Sequence, residues 1–232
     1  TRNGNATMVD ADGLLKWAPH NLMSHSQDFS NAGWSKVFSG TGSAPLVTVN
    51  QGTAPNGTQT ADRVVFNLNG GSTSNDVSRL RATAADGIVY NAKVWIKSFD
   101  GSVYNVSVNS IERDTKSVGS DWVLFEVGGS AGGTAALDIE LRGTFTTSDT
   151  ANLLVWGAHS YRSDLGGMVN NPATGNSYVP TTDAARYLPR ENHHVYNGSE
   201  WVKEGYLHEP ETATNLVTYS QDFTQWAAAS GA

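Results

Sequence analysis

The residues best suited to holding a ligand fall in short segments whose side chains alternate between the two sides of a strand. Along 92–99, Val94 and Ile96 take the apolar phase, leaving Lys93, Trp95 and Lys97 on the opposite side. Along 104–109, Tyr104, Val106 and Val108 point inward and Asn105, Ser107 and Asn109 outward. Along 136–142, Leu137, Ile139 and Leu141 are the inward set, leaving Asp138, Glu140 and Arg142. If these strands share one sheet, its outer face carries amides, carboxylates, Lys, Arg and an exposed indole. That combination suits a saccharide: planar groups meet neighbouring hydroxyls, and an aromatic ring stacks on the apolar face of a pyranose. A rigid sheet holds such groups at small entropic cost. The competing reading is a solvated sheet surface. Trp95 argues against it, because an indole among polar neighbours normally packs or binds.

Other patterns carry less chemistry. Gly128-Gly129-Ser130-Ala131-Gly132 fits the Gly-x-Ser-x-Gly elbow, which requires a helix after the serine. Here a second strand, Thr134–Arg142, follows, so a glycine-rich hairpin turn is expected. His193, His194, His208 and Glu209 are metal-ligating types. Adjacent strand residues point to opposite faces, however, so an ordinary connector is expected. Carboxylates are scattered, with no pair singled out at glycosidase spacing. No catalytic residues are assigned.

The elements that position these groups are short strands. The chain has 232 residues, 38% of them hydrophobic and 16% charged, enough for one sandwich core. Its 24 Gly supply the backbone angles of tight turns. A net charge of −7 with no Lys/Arg run argues against a nucleic-acid partner. The absence of Cys removes disulfides, thiolate metal sites and cysteine nucleophiles. No apolar run is long enough for a membrane-spanning helix, so no membrane insertion is expected. Strands are predicted around 46–49, 62–67, 77–81, 88–99, 103–109, 122–127, 135–142 and 153–161. Ala184–Leu188 is read as one helical turn at most. Many short strands without an amphipathic helix predict an all-β, antiparallel jelly-roll β-sandwich.

An internal repeat sets the larger organisation. Asn21-Leu22-Met23-Ser24-His25-Ser26-Gln27-Asp28-Phe29 recurs as Asn215-Leu216-Val217-Thr218-Tyr219-Ser220-Gln221-Asp222-Phe223, identical at six of nine positions, and a Trp follows each copy at Trp34 and Trp226. Ahead of each copy lies a segment read as a β-hairpin, turning at Asp12-Gly13 and Asn197-Gly198. The expected organisation is a hairpin connector at 1–20, a jelly roll at 21–182, a second connector with hairpin at 183–210, and the start of a second jelly roll at 211–232. The hairpins are too small to stand alone. They are expected to pack on the sandwich or on equivalent hairpins of other subunits. Thr1-Arg2-Asn3-Gly4 lacks an initiator Met and signal-peptide character, and the second copy begins close to Ala232, so a longer polypeptide is expected.

The Asn-Leu…Ser-Gln-Asp-Phe…Trp opening resembles a module of bacteriophage tail-fibre, head-spike and adsorption proteins. So do Ala54-Pro55-Asn56-Gly57-Thr58-Gln59-Thr60-Ala61-Asp62, Leu154-Val155-Trp156-Gly157-Ala158 and Ser177-Tyr178-Val179-Pro180-Thr181-Thr182. The resemblance implies a carbohydrate-binding jelly roll, placed in tandem on a virion appendage and serving host recognition without catalysis. It implies a host surface polysaccharide and other virion fibre or spike proteins as partners, and a homotrimer. His159 stands where members of that family often carry Gln, which adds it to the glycan-binding candidates. A structural Ca²⁺ held by loop oxygens is compatible with such a fold; no ligands for it stand out. The alternatives are a structural fibre spacer, and part of a polysaccharide depolymerase whose catalysis resides elsewhere.

Overall fold

The alternation along the strands resolves into two facing antiparallel sheets. The structure, a computed structural model, describes residues 4–84, 89–110, 112–130 and 135–206. The chain enters through a hairpin of β1 (Thr7–Val9) and β2 (Leu15–Trp17), followed by β3 (His20–Asn21). The sandwich begins with β4 (Ser35–Ser39), β5 (Ser43–Gly52), β6 (Ala61–Asn67), β7 (Val77–Ala84) and β8 (Val89–Ser98). It continues with β9 (Tyr104–Asn109), β10 (Arg113–Val118), β11 (Val123–Ser130), β12 (Ala135–Arg142) and β13 (Thr150–Arg162). One sheet has the order β10-β9-β12-β7-β4 and the other β11-β8-β13-β6-β5. The chain passes repeatedly from one sheet to the other, the winding of a jelly roll. The strands β14 (Arg186–Tyr187), β15 (Glu191–Tyr196) and β16 (Trp201–Tyr206) follow, β14 pairing with β3 and β15 with β16.

The inward phase assigned from sequence builds the core. Val94, Ile96, Val106, Val108, Leu137, Ile139 and Leu141 are all buried between the sheets, with Tyr104 packed at their margin. Phe29 and Trp34 close the layer, their ring centroids 4.7 Å apart. The Trp34 indole N–H donates to the His25 carbonyl at 3.0 Å, so its polar edge is paired within the same segment.

Three local expectations are corrected. The Gly128–Gly132 stretch is not a hairpin turn, because β11 pairs with β8 while β12 pairs with β7 and β9 in the other sheet. The connection from β11 to β12 passes between sheets rather than between neighbouring strands, and residues 131–134 lie outside the described residues. Ala184–Leu188 contains a strand, β14, in place of a helical turn, held to β3 through Arg186 and Tyr187. β4 and β10 were not expected, since Ser35–Ser39 and Arg113–Val118 are edge strands with little apolar content.

Both hairpins form. Gly13 and Gly198 occupy positive φ of 77° and 100°, as their turns require. They pack on one another within a single chain: Val9 N donates to His193 Nδ1 at 3.2 Å, and Gly13 lies against the Trp201 ring. The first is tied to the sandwich as well, with Trp17 Nε1 donating to Asp164 at 2.9 Å and Arg162 over the Trp17 ring at 4.1 Å. His208, Glu209 and the second motif copy at 215–223 lie outside the described residues. Among the described residues no three His, Asp or Glu side chains converge as a metal site, and no helix is long and apolar enough to cross a membrane.

Candidate functional site

The ten candidates divide between the two outer faces. β8 belongs to the sheet of β11 and β13, so Lys93, Trp95, Lys97 and His159 share one side of the sandwich. Asn105, Ser107, Asn109, Asp138, Glu140 and Arg142 lie on the other, where β9 and β12 pair. This corrects the expectation of one shared face. Alternation along a strand assigns the side of its own sheet, and sheet membership depends on contacts far away in sequence.

On the β12 face the carboxylates are already occupied. Asp138 and Glu140 are 1% and 0% exposed, and Arg81 and Arg79 stand directly across from them on β7. Arg81 grips Asp138 bidentately, Nε to Oδ1 and Nη2 to Oδ2, both at 2.7 Å. Arg79 Nη1 donates to the same carboxylate at 2.8 Å, and Arg113 of β10 bridges Glu140 and Ser107. Asn105 accepts from Thr147 N at 3.0 Å, and Arg142 Nε donates to the Ser74 carbonyl at 2.7 Å. Asn109 lies beside Asp138 in the ladder. The face is a cross-strand ion network stitching four strands together. The three guanidiniums escaped the sequence reading; Arg79-x-Arg81 in one predicted strand was the available signal.

The other face carries a cleft. Trp95 is partly exposed and has Leu124 of β11 and Trp156 of β13 as its cross-strand neighbours. After Trp156 the ladder slips, with Gly157 at φ 70° inside a bulge, which keeps His159 and Tyr161 on the outer side. A Cβ on Gly157 would make only ordinary contact with Trp95 Cδ1 and Tyr178 Cε2, both at 3.5 Å, so it is the positive φ of the bulge that favours glycine there. Trp156 is anchored by Nε1 donating to Thr60 at 3.0 Å and by Tyr178, whose ring centroid lies 4.5 Å away. The turn at Pro55-Asn56 and the segment Asn176–Tyr178 wall a cleft of about 160 Å³ over Trp95, Lys93 and Trp156. These walls come from loops and were not among the sequence candidates.

The charged and polar groups around the indole differ in how fully they are engaged. His159 forms part of the cleft floor but is 1% exposed, with Nε2 donating to the His20 carbonyl at 2.8 Å. Burial pushes its pKa down to about 3, so it is a neutral supporting ring. Lys93 Nζ lies 3.3 Å from Glu126 and 5.1 Å from the Tyr161 ring centroid. Lys97 Nζ lies over the Trp122 ring at 5.2 Å. A partly open indole, a second indole behind it, wall amides and an ammonium make a platform for a flat, hydroxylated ligand.

The motifs carrying the family resemblance converge as a clasp beneath this cleft. The Asn21 side chain is fully buried: Nδ2 donates to the Ala158 and Val179 carbonyls at 3.0 and 2.8 Å, and Oδ1 accepts from Met23 N and Ser160 N, both at 3.0 Å. Ser26 Oγ accepts from Thr181 N at 2.8 Å and lies 2.9 Å from the Tyr178 hydroxyl. Thr181 Oγ1 donates to the Met23 carbonyl at 2.6 Å. Burial raises the Tyr178 hydroxyl to about 12, so it stays protonated. Asp62 accepts from Phe29 N at 2.8 Å and Asn50 N at 2.9 Å. These side chains tie the ends of the domain to β13 and β6.

No family model matches the chain, and no curated protein does. Among solved structures it is similar to a family 11 carbohydrate-binding module from Clostridium thermocellum in complex with a β-1,3-1,4-mixed-linked tetrasaccharide. That match has 12% identity and a TM-score of 0.42, over 66% of this chain and 99% of the other. The CBM22-1 xylan-binding domain of Paenibacillus barcinonensis Xyn10C matches at 16% identity and a TM-score of 0.40, over 62% and 94% of the two chains. The enzymatically active domain of bacteriophage CBA120 tailspike protein 4 matches at 16% identity and a TM-score of 0.39. That match covers 60% of this chain and 21% of the tailspike.

Proposed function

We propose that the chain is a glycan-binding jelly roll of a virion fibre or spike, gripping a host surface polysaccharide without cleaving it. The observation that carries this reading is Trp95, which faces a surface cleft with Trp156 and Tyr178 packed beside it and amides on the walls. An indole held this way presents a flat apolar surface of the kind a pyranose stacks on, and Ser26 meets the hydroxyl of Tyr178 at the cleft wall. The virion setting rests on the motifs at 21–29, 54–62, 154–158 and 177–182. Partner fibre proteins and a trimeric assembly belong to the same reading. Repetition of such a module would raise avidity along a fibre.

A glycan array probed with this chain, followed by Trp95→Ala, tests the proposal. The expected result is binding to envelope saccharides that falls at least about 30-fold in the variant, as for an interface hot spot, with circular dichroism unchanged. Silence across the array supports the fibre-spacer reading instead. Release of reducing ends from host polysaccharide would show an enzyme.

A further inference from the structure

Resting on that glycan reading, we propose that the saccharide stacked on Trp95 is acidic and that Lys97, which stands on the same strand face just beyond the residues lining the cleft, receives its carboxylate, as on a uronic acid. The two lysines flank the indole on the same strand face, at positions 93 and 97, each roughly 7 Å along β8 from residue 95. A sugar ring stacked on Trp95 therefore has an ammonium near either edge.

The two cations are not equivalent. Lys93 shares its charge with Glu126, whose Oε1 also accepts from Asn91 at 3.1 Å and from the Tyr161 hydroxyl at 3.3 Å. Lys97 has the Trp122 ring as its charge contact and, among the described residues, no carboxylate partner. Its cross-strand neighbour is Leu154, and beyond it Arg63 donates to Asn152 at 2.8 Å with its guanidinium 4.5 Å from the Phe99 centroid. The nearby Asp100 is engaged by Ser102 N at 3.0 Å, the Tyr104 hydroxyl at 2.8 Å and Asn152 at 3.0 Å.

The outer face of this sheet thus sets Arg63, Lys93 and Lys97 against Glu126, in a chain whose net charge is −7. On the opposite face, by contrast, Arg79, Arg81 and Arg113 are each spent on Asp138 or Glu140. Among the described residues, Lys97 is therefore a cation without an anion beside the aromatic platform. A ligand carboxylate would complete the pair there, and a neutral glycan would leave that ammonium to water.

The test uses matched ligands. Each saccharide that binds on the array is retested after carbodiimide–borohydride reduction, which converts –COO⁻ to –CH₂OH and leaves the remaining sugar intact. Hits should carry carboxylates, and reduction should weaken binding about tenfold to a hundredfold, the loss of a charge-assisted hydrogen bond. Affinity for the native sugar should fall as salt is raised. Lys97→Met, which keeps the aliphatic stem, should reproduce the loss on the acidic sugar and bind the reduced one as wild type does. Neutral hits, or affinity indifferent to reduction, would overturn the acidic assignment while leaving the cleft reading intact. Hits undiminished by Trp95→Ala would overturn the cleft reading itself.

Discussion

Replacing Asn21 by Ala should destabilise the fold by about 4 kcal/mol while leaving the chemistry of the Trp95 cleft in place. The side chain is 0% exposed and makes four hydrogen bonds, to the backbones of Ala158, Val179, Met23 and Ser160. Each such bond contributes about 1 kcal/mol net, and groups left unpaired in a dry site cost about 1–3 kcal/mol each. Four bonds at the lower figure give the stated loss, a large share of a typical stability of about 5–15 kcal/mol. For a domain of this size the melting temperature should fall by about 8–16 °C. Asn21→Asp keeps the acceptor but turns a second oxygen toward two carbonyls, and should do at least as much harm. Urea unfolding followed by both tryptophan fluorescence and circular dichroism checks the shift. A loss below about 1 kcal/mol would refute the clasp. Unchanged stability with lost glycan affinity would make Asn21 a ligand group instead.

Asp138→Ala leaves Arg79 and Arg81 without their shared carboxylate and should destabilise by about 3–5 kcal/mol, the range for breaking a buried ion pair from one side. Glycan affinity of the folded protein should hold, since the pair lies on the opposite sheet; lost affinity with retained stability would relocate the site. Stability should also fall on acidification from pH 6.5 toward 4. Burial pushes His159 to about 3 and His20 to about 4, so across that window the unfolded chain binds protons that the folded chain refuses. Unfolding free energies measured at half-unit pH steps should show His159→Gln with a shallower slope than wild type; equal slopes would mean the ring is charged in the fold.

Much of the architecture was legible from local pattern alone. Val94 and Ile96, Val106 and Val108, and Leu137, Ile139 and Leu141 all face the core as alternation requires, because a half-buried strand has no other way to satisfy both its surfaces. What failed was pairing. β4 and β10 carry too little apolar content to stand out, since an edge strand buries less. The Gly128–Gly132 stretch had the composition of a hairpin turn, yet its flanking strands part into different sheets. Glycine permits a turn without deciding which strand the chain joins next.

The candidate site shows the same division with a consequence for function. Trp95 stood out because its strand neighbours are polar, a local observation, and it does lie outside the main core beside a cleft. The walls at Pro55-Asn56 and Asn176–Tyr178 arrive from loops far from Trp95 in sequence, one on each side of it, beyond the reach of periodicity. The nonapeptide at 21–29 was the strongest signal in the chain, and its side chains close the domain: Asn21, Ser26 and Phe29 are all buried. Residues serving closure must be the same wherever the same domain is built, because each satisfies backbone groups that any copy would bury. Residues serving a ligand need only match that ligand. The nonapeptide therefore advertises the scaffold, while on the proposed reading the choice of sugar rests with Trp95 and Lys97, which lie outside it.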